Sequence, residues 1–212
     1  MNPCRTLNLL FMSCFLFPGC SDDASKSTSV ETDAEKAPSQ QSPWFRDDVD
    51  SSKITFEHVS GHDGDFYIPE IMSGGAAVLD IEGDGDLDIY FVQSGSITDP
   101  DSNPPNQLFE NLGDGTFQDV TDLSGTGDRG YGIAAATGDY DNDGDVDLLI
   151  TNVGRNTLLQ NDGKGRFIDV TDQAGLMDED YSASASFFDA DRDGDLDLYV
   201  CNYLVNWSPE RE

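Results

Sequence analysis

Apolar positions from residue 74 onward come in short runs separated by glycines and acids, a pattern typical of β-strands joined by turns. One kind of run is built of small residues, and the run that follows it is bulky on both faces. The small runs are residues 74–77, 134–136 and 182–186, and the bulky runs are residues 87–92, 146–150 and 196–200. Bulky runs without strict alternation predict strands whose two faces are both covered.

A fifty-residue repeat organises these runs. The segment NQLFENLGDGTFQDVTDLSG begins at Asn106, and NTLLQNDGKGRFIDVTDQAG begins at Asn156. In each segment two more apolar runs flank a glycine-containing turn, LGDG or DGKG, which predicts a β-hairpin. Every complete repeat is therefore predicted to contain four short strands.

Small side chains on the first strand suit crowding near a central axis, while bulky side chains fill the wedges between radiating sheets. This division is typical of a β-propeller, whose blades are about 40–50 residues long and number about 4–8. We therefore predict an all-β fold in which residues 46–212 form about two and a half blades. Because so few blades cannot close a ring, we expect an N-terminal fragment of a longer chain rather than an assembly of copies. A parallel β-solenoid is the alternative fold.

An aspartate-rich loop separates the small strand from the bulky strand in each repeat, at residues 80–88, 139–147 and 189–197. In the second loop, DYDNDGDVD, oxygen donors at positions 1, 3 and 5 precede a glycine at position 6 and a backbone carbonyl at position 7, as in an EF-hand loop. Position 12 is apolar in all three loops, so the aspartate at position 9 must complete the ligand shell. Several oxygen donors with no histidine or cysteine favour Ca²⁺ over softer metals.

Two to three Ca²⁺ ions are predicted for these loops. Without cations, so many carboxylates in so short a loop would repel one another, which disfavours an ion-free turn. Glu82 replaces aspartate at position 3 of the first loop, where we expect the weakest binding, and the position-7 aspartates are expected to contribute main-chain oxygens. The candidate ligands are Asp80, Glu82, Asp84, Asp86, Asp88, Asp139, Asp141, Asp143, Asp145, Asp147, Asp189, Asp191, Asp193, Asp195 and Asp197.

The chain carries 42 acidic and 11 basic side chains, a formal net charge of −31. Such a surface repels the phosphates of nucleic acids and anionic lipids, which excludes nucleic-acid binding and basic docking on membranes. The acids comprise 33 aspartates and 9 glutamates, a bias toward the shorter carboxylate that suits tight turns and hard-metal loops. With 37% hydrophobic residues the chain can still build a core.

The N-terminus predicts export. Residues 7–17 are mostly apolar, follow Arg5 and end shortly before Cys20, so residues 1–20 are predicted to be a signal peptide with a lipobox-like cysteine. Lipidation of Cys20 would give an outer-membrane lipoprotein facing the periplasm or the cell surface, held in the membrane only by its anchor. Simple secretion is the alternative. Residues 21–45 are too polar to bury a face and are predicted to form a disordered linker.

Other motifs carry less information. Residues 125–130 spell GxGxxG, but no predicted helix follows them, which argues against dinucleotide binding. We interpret His58 and His62 as exposed loop residues rather than catalytic groups, and Cys201, within an apolar run, as a buried thiol. Packing between blades is preferred over ligand contact for four aromatic residues, Tyr67, Tyr131, Tyr181 and Trp207.

The loop pattern DxDxDGDxD after a small-residue strand resembles the FG-GAP/VCBS repeat of integrin α-subunit propellers. Longer stretches, YIPEIMSGGAAVLD, PPNQLFENLGDGTFQDVTD and GYGIAAATGDYDNDGDVDLLITN, resemble the ASPIC/UnbV family, the relatives of cartilage acidic protein. This resemblance covers residues 54–209 and implies a seven-bladed propeller in which a segment such as residues 54–58 joins the last blade. The partners of that family are mostly unsettled, so the resemblance identifies a scaffold rather than a function.

A binding module is the function that these features favour. We expect a calcium-binding, lipid-tethered propeller that acts in protein or glycan binding, or in adhesion, at the cell envelope of a bacterium. Neither a nucleic-acid partner nor enzymatic activity is expected. The alternative is a propeller-type enzyme, a lyase or hydrolase acting on polysaccharide, whose catalytic residues would lie outside this fragment.

Overall fold

The computed structural model describes residues 45–62, 64–205 and 207–209. The predicted signal peptide, the lipidation site Cys20 and nearly all of the predicted linker lie outside the described residues.

Helices contribute little to this fold. They are single turns, α1 (Val49–Ser52), α2 (Ile68–Ile71), α3 (Thr121–Ser124) and the 3₁₀ helix Pro100–Ser102. In the described part of the chain, none of them has the length and hydrophobicity that crossing a bilayer requires.

The first sheet is an antiparallel meander of four strands in chain order. Its strands are β1 (Gly75–Leu79), β2 (Asp88–Val92), β3 (Gln107–Asn111) and β4 (Phe117–Asp119). The acidic loop joins β1 to β2, and the glycine-containing turn LGDG joins β3 to β4. The repeat therefore folds into the four strands predicted for it.

The second repeat forms the same meander, and the third repeat contributes two strands. The strands are β5 (Tyr131–Gly138), β6 (Asp147–Val153), β7 (Thr157–Asn161), β8 (Phe167–Asp169), β9 (Tyr181–Phe188) and β10 (Asp197–Leu204). All of these strand pairings are antiparallel. The prediction of an all-β fold of propeller-type repeats is confirmed, and the parallel β-solenoid is wrong for the described residues.

The sheets pack face to face, and their bulky strands form the core. Between the first and second sheets lie buried side chains of both, namely Tyr90, Val92, Leu108, Leu148, Ile150 and Leu159. Leu149, one residue out of phase on β6, faces the other way and packs against Leu198 and Val200 of β10. Because side chains alternate along a strand, β6 is covered on both faces, as its unbroken apolar run predicts.

One face of β10 is left uncovered. Tyr199 is 62% exposed and Cys201 is exposed as well, whereas their counterparts on β6, Leu149 and Thr151, are both 0% exposed. The prediction of a buried thiol at Cys201 is therefore wrong. The apolar run indicated two covered faces, but within the described residues no further sheet packs on this side of the third repeat.

The segment that precedes the first sheet lies along it as irregular chain. Phe56 stacks on Phe91 with ring centroids 4.7 Å apart and planes 10° from parallel. The side chain of Gln93 also holds the segment, since its Nε2 donates to the carbonyl of Glu57 (2.9 Å) and its Oε1 accepts from the amide of Val59 (2.7 Å). Residues 54–58, which the resemblance assigned to a last blade, thus pack on the first sheet.

Candidate metal centre

Each acidic loop is folded around the carboxylate at its first position. Asp80 accepts three loop amides, from Gly83 (2.8 Å), Asp84 (3.1 Å) and Gly85 (2.9 Å). The carboxylates at the first position of the second and third loops accept loop amides in the same manner. A short acidic side chain that binds backbone N–H groups a few residues ahead is the reason that aspartate, rather than glutamate, begins every loop.

Two positions in each loop have a left-handed backbone. The glycines at position 6 have φ of 93°, 96° and 99° (Gly85, Gly144 and Gly194). Position 4 is also left-handed, with φ of 74° at Gly83, 61° at Asn142 and 67° at Arg192. Glycine adopts this conformation freely and asparagine tolerates it, whereas a left-handed residue with a long side chain costs about 1–2 kcal/mol.

Carboxylates at positions 1, 3 and 9 converge in every loop. In each of these groups one oxygen per side chain lies within 4.8 Å of the others. The groups are Asp80, Glu82 and Asp88; Asp139, Asp141 and Asp147; and Asp189, Asp191 and Asp197. Three carboxylate oxygens at this separation match the ligand type that Ca²⁺ prefers.

The carboxylate at position 9 is a buried structural anchor in the first two loops. Asp147 is 0% exposed, and its two oxygens accept the amides of Asn161 and Tyr140, each at 2.9 Å. Burial, reinforced by the neighbouring loop carboxylates, raises the pKa of Asp147 to about 6 although the two amides oppose the rise. Asp88 occupies the same setting, and burial raises its pKa as well. A cation beside these carboxylates would favour their charged form.

Glu82 is the most perturbed carboxylate of the first loop. Burial, together with the charges of Asp88, Asp84 and Glu110, raises the pKa of Glu82 to about 7. Its Oε2 is buried and has no hydrogen-bond partner among the described residues. Buried acceptors are rarely left without a donor or a cation, so this atom and the surrounding carboxylates fit a bound metal ion.

The aspartates at positions 5 and 7 stand apart from these groups. At position 5, Asp84, Asp143 and Asp193 each accept the amide two residues ahead, at 2.8, 2.9 and 3.0 Å. At position 7, Asp195 accepts a hydrogen bond from Asn142 of the preceding loop (2.8 Å). The other position-7 side chains, Asp86 and Asp145, lie against glycines of the hairpin turns.

Two asparagines that the sequence reasoning missed fix the loops to the sheets. The Nδ2 of Asn161 donates to the carbonyl of Ile81 in the first loop (2.9 Å) and to that of Val146 in the second (3.3 Å). Asn111, fifty residues earlier, donates to the carbonyl of Leu87 (3.1 Å). Because both asparagines end the third strand of their repeat, alignment of the repeats was the signal that could have found them.

The sequence reasoning also missed Gln160, a residue that makes the first and second loops differ in charge. The Nε2 of Gln160 donates to the Oδ2 of Asp141, so the position-3 carboxylate of the second loop has an amide beside it. The counterpart of Gln160 in the first repeat is Glu110, whose charge instead acts on Glu82. The first loop therefore gathers one more negative charge than the second.

Other residues singled out from the sequence have structural partners. The Nε2 of His58 lies 3.1 Å from the hydroxyl of Ser94, and burial lowers the pKa of His58. His62 lies 3.3 Å from a carboxylate oxygen of Glu70. The GxGxxG segment, residues 125–130, runs into strand β5 and not into a helix.

The repeats have known relatives. Two overlapping segments, residues 80–150 and 139–200, match the family described as FG-GAP-like repeat. Each match begins at an acidic loop and ends on the bulky strand after the next loop. No curated protein matches the chain. Because the two matches together span more than half of its residues, the chain belongs to the FG-GAP-like repeat family.

Proposed function

We propose that this protein is a calcium-stabilised binding module in which each acidic loop holds one Ca²⁺ ion. The observation that carries the proposal is the convergence of carboxylates from positions 1, 3 and 9 within 4.8 Å in all three repeats. Ions at these positions would fix the ends of the sheets, so that the connections at their other ends keep one shape for a protein or glycan ligand.

The donor set supports calcium as the ion. Ca²⁺ accepts six to eight oxygen ligands in flexible arrangements, whereas Mg²⁺ demands a near-octahedral shell and gives up its waters reluctantly. The side chains grouped here are all carboxylates, and backbone carbonyls and water would complete the shell. Calcium-binding modules outside the cytoplasm have Kd of about 10⁻⁴–10⁻³ M, so a site of this kind would be filled after export.

Calcium should act through the stability of the folded state. An ion that binds only the folded chain contributes about 2.7 kcal/mol when its concentration is 100 times Kd. Thermal unfolding in calcium and in excess EGTA should therefore give a clearly lower Tm in EGTA.

Asp141→Asn should remove most of the calcium-induced rise contributed by the second loop, because it deletes one of the three grouped carboxylates. The matched control is Asp145→Asn, which changes a carboxylate of the same loop that lies outside the group. Equal Tm in calcium and EGTA would contradict structural calcium, and equal losses in the two variants would contradict the assigned ligands.

The finer architecture is also proposed. The resemblance of residues 54–209 supports membership of the ASPIC/UnbV family, and the uncovered face of β10 supports a closed ring of further blades. Electron microscopy of the longest natural form of the protein tests this, since seven radiating sheets are expected. An open stack of sheets would contradict it.

We further propose export and lipid anchoring through Cys20, supported by the apolar residues 7–17 before it. Cells that express the protein with labelled palmitate should incorporate label into the wild type and not into Cys20→Ser. Label in neither protein, with export retained, would favour simple secretion.

Ligand binding rather than catalysis is the proposed activity. Incubation with a panel of polysaccharides should produce no new reducing ends and no unsaturated products. Either product would favour the propeller-type enzyme instead.

A further inference from the structure

A groove lies at the end of the sheets opposite the acidic loops. It has a volume of about 360 Å³ and is lined by the connection after β2, the start of β5, the end of β6 and residues 207–209. A second depression, about 590 Å³, shares Ile97, Ser208 and Pro209 with it and adds Tyr67. Ligand sites of small molecules are concave and mostly apolar, with a few polar groups, and have volumes of about 300–1,000 Å³.

An indole ring in a fixed orientation forms one wall of the groove. Trp207 lines the groove and makes edge contacts with Tyr67 (centroids 6.4 Å apart, planes 84°) and with Tyr181 (6.4 Å, 67°). These contacts hold the ring from two sides while it remains partly exposed. A held, half-open aromatic face offers a platform for an apolar ligand surface. Three of the four aromatic residues for which packing was preferred, Tyr67, Tyr131 and Trp207, thus also border a cavity.

The charge of the groove excludes an anionic ligand. Of the described residues that line it, Glu179 carries the only charge, and none is lysine, arginine or histidine. The other polar side chains are Ser96, Ser208, Asn103 and Tyr131, and the hydroxyl of Tyr131 donates to the carbonyl of Ser60 (3.2 Å). In a protein with net charge −31, phosphorylated, sulfated or uronic-acid ligands would be repelled here.

A buried acceptor without a partner lies against the groove wall. Asn152 is 1% exposed, and its Nδ2 donates to the carbonyl of Arg155 (2.9 Å), while its Oδ1 has no hydrogen-bond partner among the described residues. The carboxamide packs on Gly130, a lining residue, so closely that a Cβ there would lie 2.6 Å from it. This carboxamide lies behind Gly130, so the acceptor that a ligand can reach is the exposed carboxylate of Glu179, which calls for a ligand that donates hydrogen bonds.

We propose that this groove binds a neutral carbohydrate. The apolar face of a sugar ring lies on Trp207, and its hydroxyl groups donate to Glu179 and exchange hydrogen bonds with the hydroxyls of Ser96 and Ser208. A quaternary ammonium would also suit an aromatic wall and a carboxylate, but it carries no N–H or O–H to donate. The inference rests on the proposed binding function and names the ligand class of that module.

Because Trp207 lines the groove, its fluorescence can report ligand binding there. The chain has two tryptophans, Trp44 and Trp207, so Trp44→Phe leaves Trp207 as the sole tryptophan emitter. This protein, kept in calcium, is titrated with neutral oligosaccharides of glucose, mannose, galactose and N-acetylglucosamine. At least one series should shift the emission of Trp207 and saturate.

Two variants and one control assign that signal to the groove. By calorimetry with the sugar that saturates, Trp207→Ala should weaken binding at least about tenfold, a loss typical of an aromatic anchor. Glu179→Gln keeps the shape of the side chain and should weaken binding about threefold to tenfold. Tyr199→Phe, which alters an exposed aromatic residue on β10, should change nothing.

Failure here is distinguishable from failure of the binding module as a whole. If no neutral sugar saturates while calcium still raises Tm, the carbohydrate assignment is wrong and the calcium-stabilised fold stands. The carbohydrate assignment is equally wrong if only polygalacturonate, tetramethylammonium or a proline-rich peptide saturates, or if Glu179→Gln and Trp207→Ala, with unchanged Tm, bind as the wild type does.

Discussion

The second and third acidic loops share one sequence pattern, DxDxDGDxD, in two different environments. Asp147 of the second loop is 0% exposed, whereas its counterpart Asp197 is exposed. Asp147 accepts amides from both its own loop and strand β7, while Asp197 accepts the amide of Ala190 in its own loop (2.8 Å). The loop sequence therefore determines the turn and the grouping of carboxylates, and the surrounding repeat determines how deeply the group is buried.

The first loop differs from both of these loops in the combination of burial and charge. Its Asp88 is as buried as Asp147, but Glu82 and Glu110 replace the pair formed by Asp141 and Gln160. The burial is the same and the charge is more negative, so the first loop has the greater need for a cation. The sequence alone predicted the weakest binding at this loop, because of the longer side chain at position 3. Calcium titration of Glu82→Asp against the wild type decides which of these two effects dominates.

The largest difference between the second and third repeats should come from their apolar cores. Leu149→Ala removes a fully buried side chain from between the second and third repeats and should lower the free energy of unfolding by about 2–5 kcal/mol. In a chain of these 212 residues alone, Tyr199→Ala, at the equivalent place on the uncovered face of β10, should change it by less than about 0.5 kcal/mol. Urea denaturation in calcium measures both. Comparable losses would mean that the face of β10 is covered in solution.

The next largest difference should come from the anchors at position 9. Asp147→Asn leaves one of the two buried amides without a full acceptor and should cost about 1–3 kcal/mol. Asp197→Asn acts on an exposed carboxylate and should cost less than about 1 kcal/mol. Chemical denaturation in EGTA, where no ion contributes to either loop, provides the comparison, and a larger loss at Asp197 would contradict the role assigned to burial.

Without calcium, the stability of the protein should depend on pH through the buried carboxylates of the first and second loops. The folded-state pKa of Asp147, about 6, lies above its unfolded value, so the folded chain holds this proton more tightly. The resulting stability is complete below about pH 4 and is lost as the pH rises through 6. Glu82, with a folded pKa of about 7, extends the loss upward.

In EGTA, therefore, Tm should fall as the pH rises from 5 to 7.5. Glu82→Gln should reduce the part of this fall that occurs near pH 7. The slope for one group cannot exceed about 1.4 kcal/mol per pH unit. Calcium should abolish the trend because the cation replaces the proton. A Tm that rises over this range in EGTA would show that these carboxylates are not strained by burial.

The smallest effect should come from position 4. Arg192 has φ of 67°, so Arg192→Gly should relieve backbone strain and stabilise the third loop by about 0.5 kcal/mol after the entropic cost of glycine. Asn142→Gly should stabilise nothing, because asparagine tolerates this conformation and its side chain also binds Asp195. If Asn142→Gly is more stable than the wild type, the hydrogen bond from Asn142 to Asp195 does not stabilise the fold.

Local patterns predicted most of this fold. The strands, the glycine hairpins and the left-handed glycine at position 6 all depend on residues that are close in sequence, so the repeat specifies them directly. The burial of Cys201 was wrong because it depends on whether another sheet covers β10, a fact that its own apolar run does not contain. The bond from Asn161 to the carbonyl of Ile81 joins residues eighty apart, and no local pattern predicts it.

The sequence predicted which loops form the candidate site better than it predicted which of their carboxylates come together. The sequence identified all three loops, and the structure brings together positions 1, 3 and 9 of each. Position 5 was grouped with positions 1 and 3 by analogy with an EF-hand; in this fold one oxygen of its carboxylate accepts the loop amide two residues ahead, and its role as a ligand stays a prediction.

Calcium in the loops can be observed directly by long-wavelength anomalous diffraction from crystals grown in about 10 mM calcium, above the Kd of about 10⁻⁴–10⁻³ M expected outside the cytoplasm. We predict an anomalous peak in each loop, between the carboxylates of positions 1, 3 and 9, and strongest where position 9 is buried. Loops that hold only water, with Asp139 and Asp141 turned toward solvent, would contradict structural calcium.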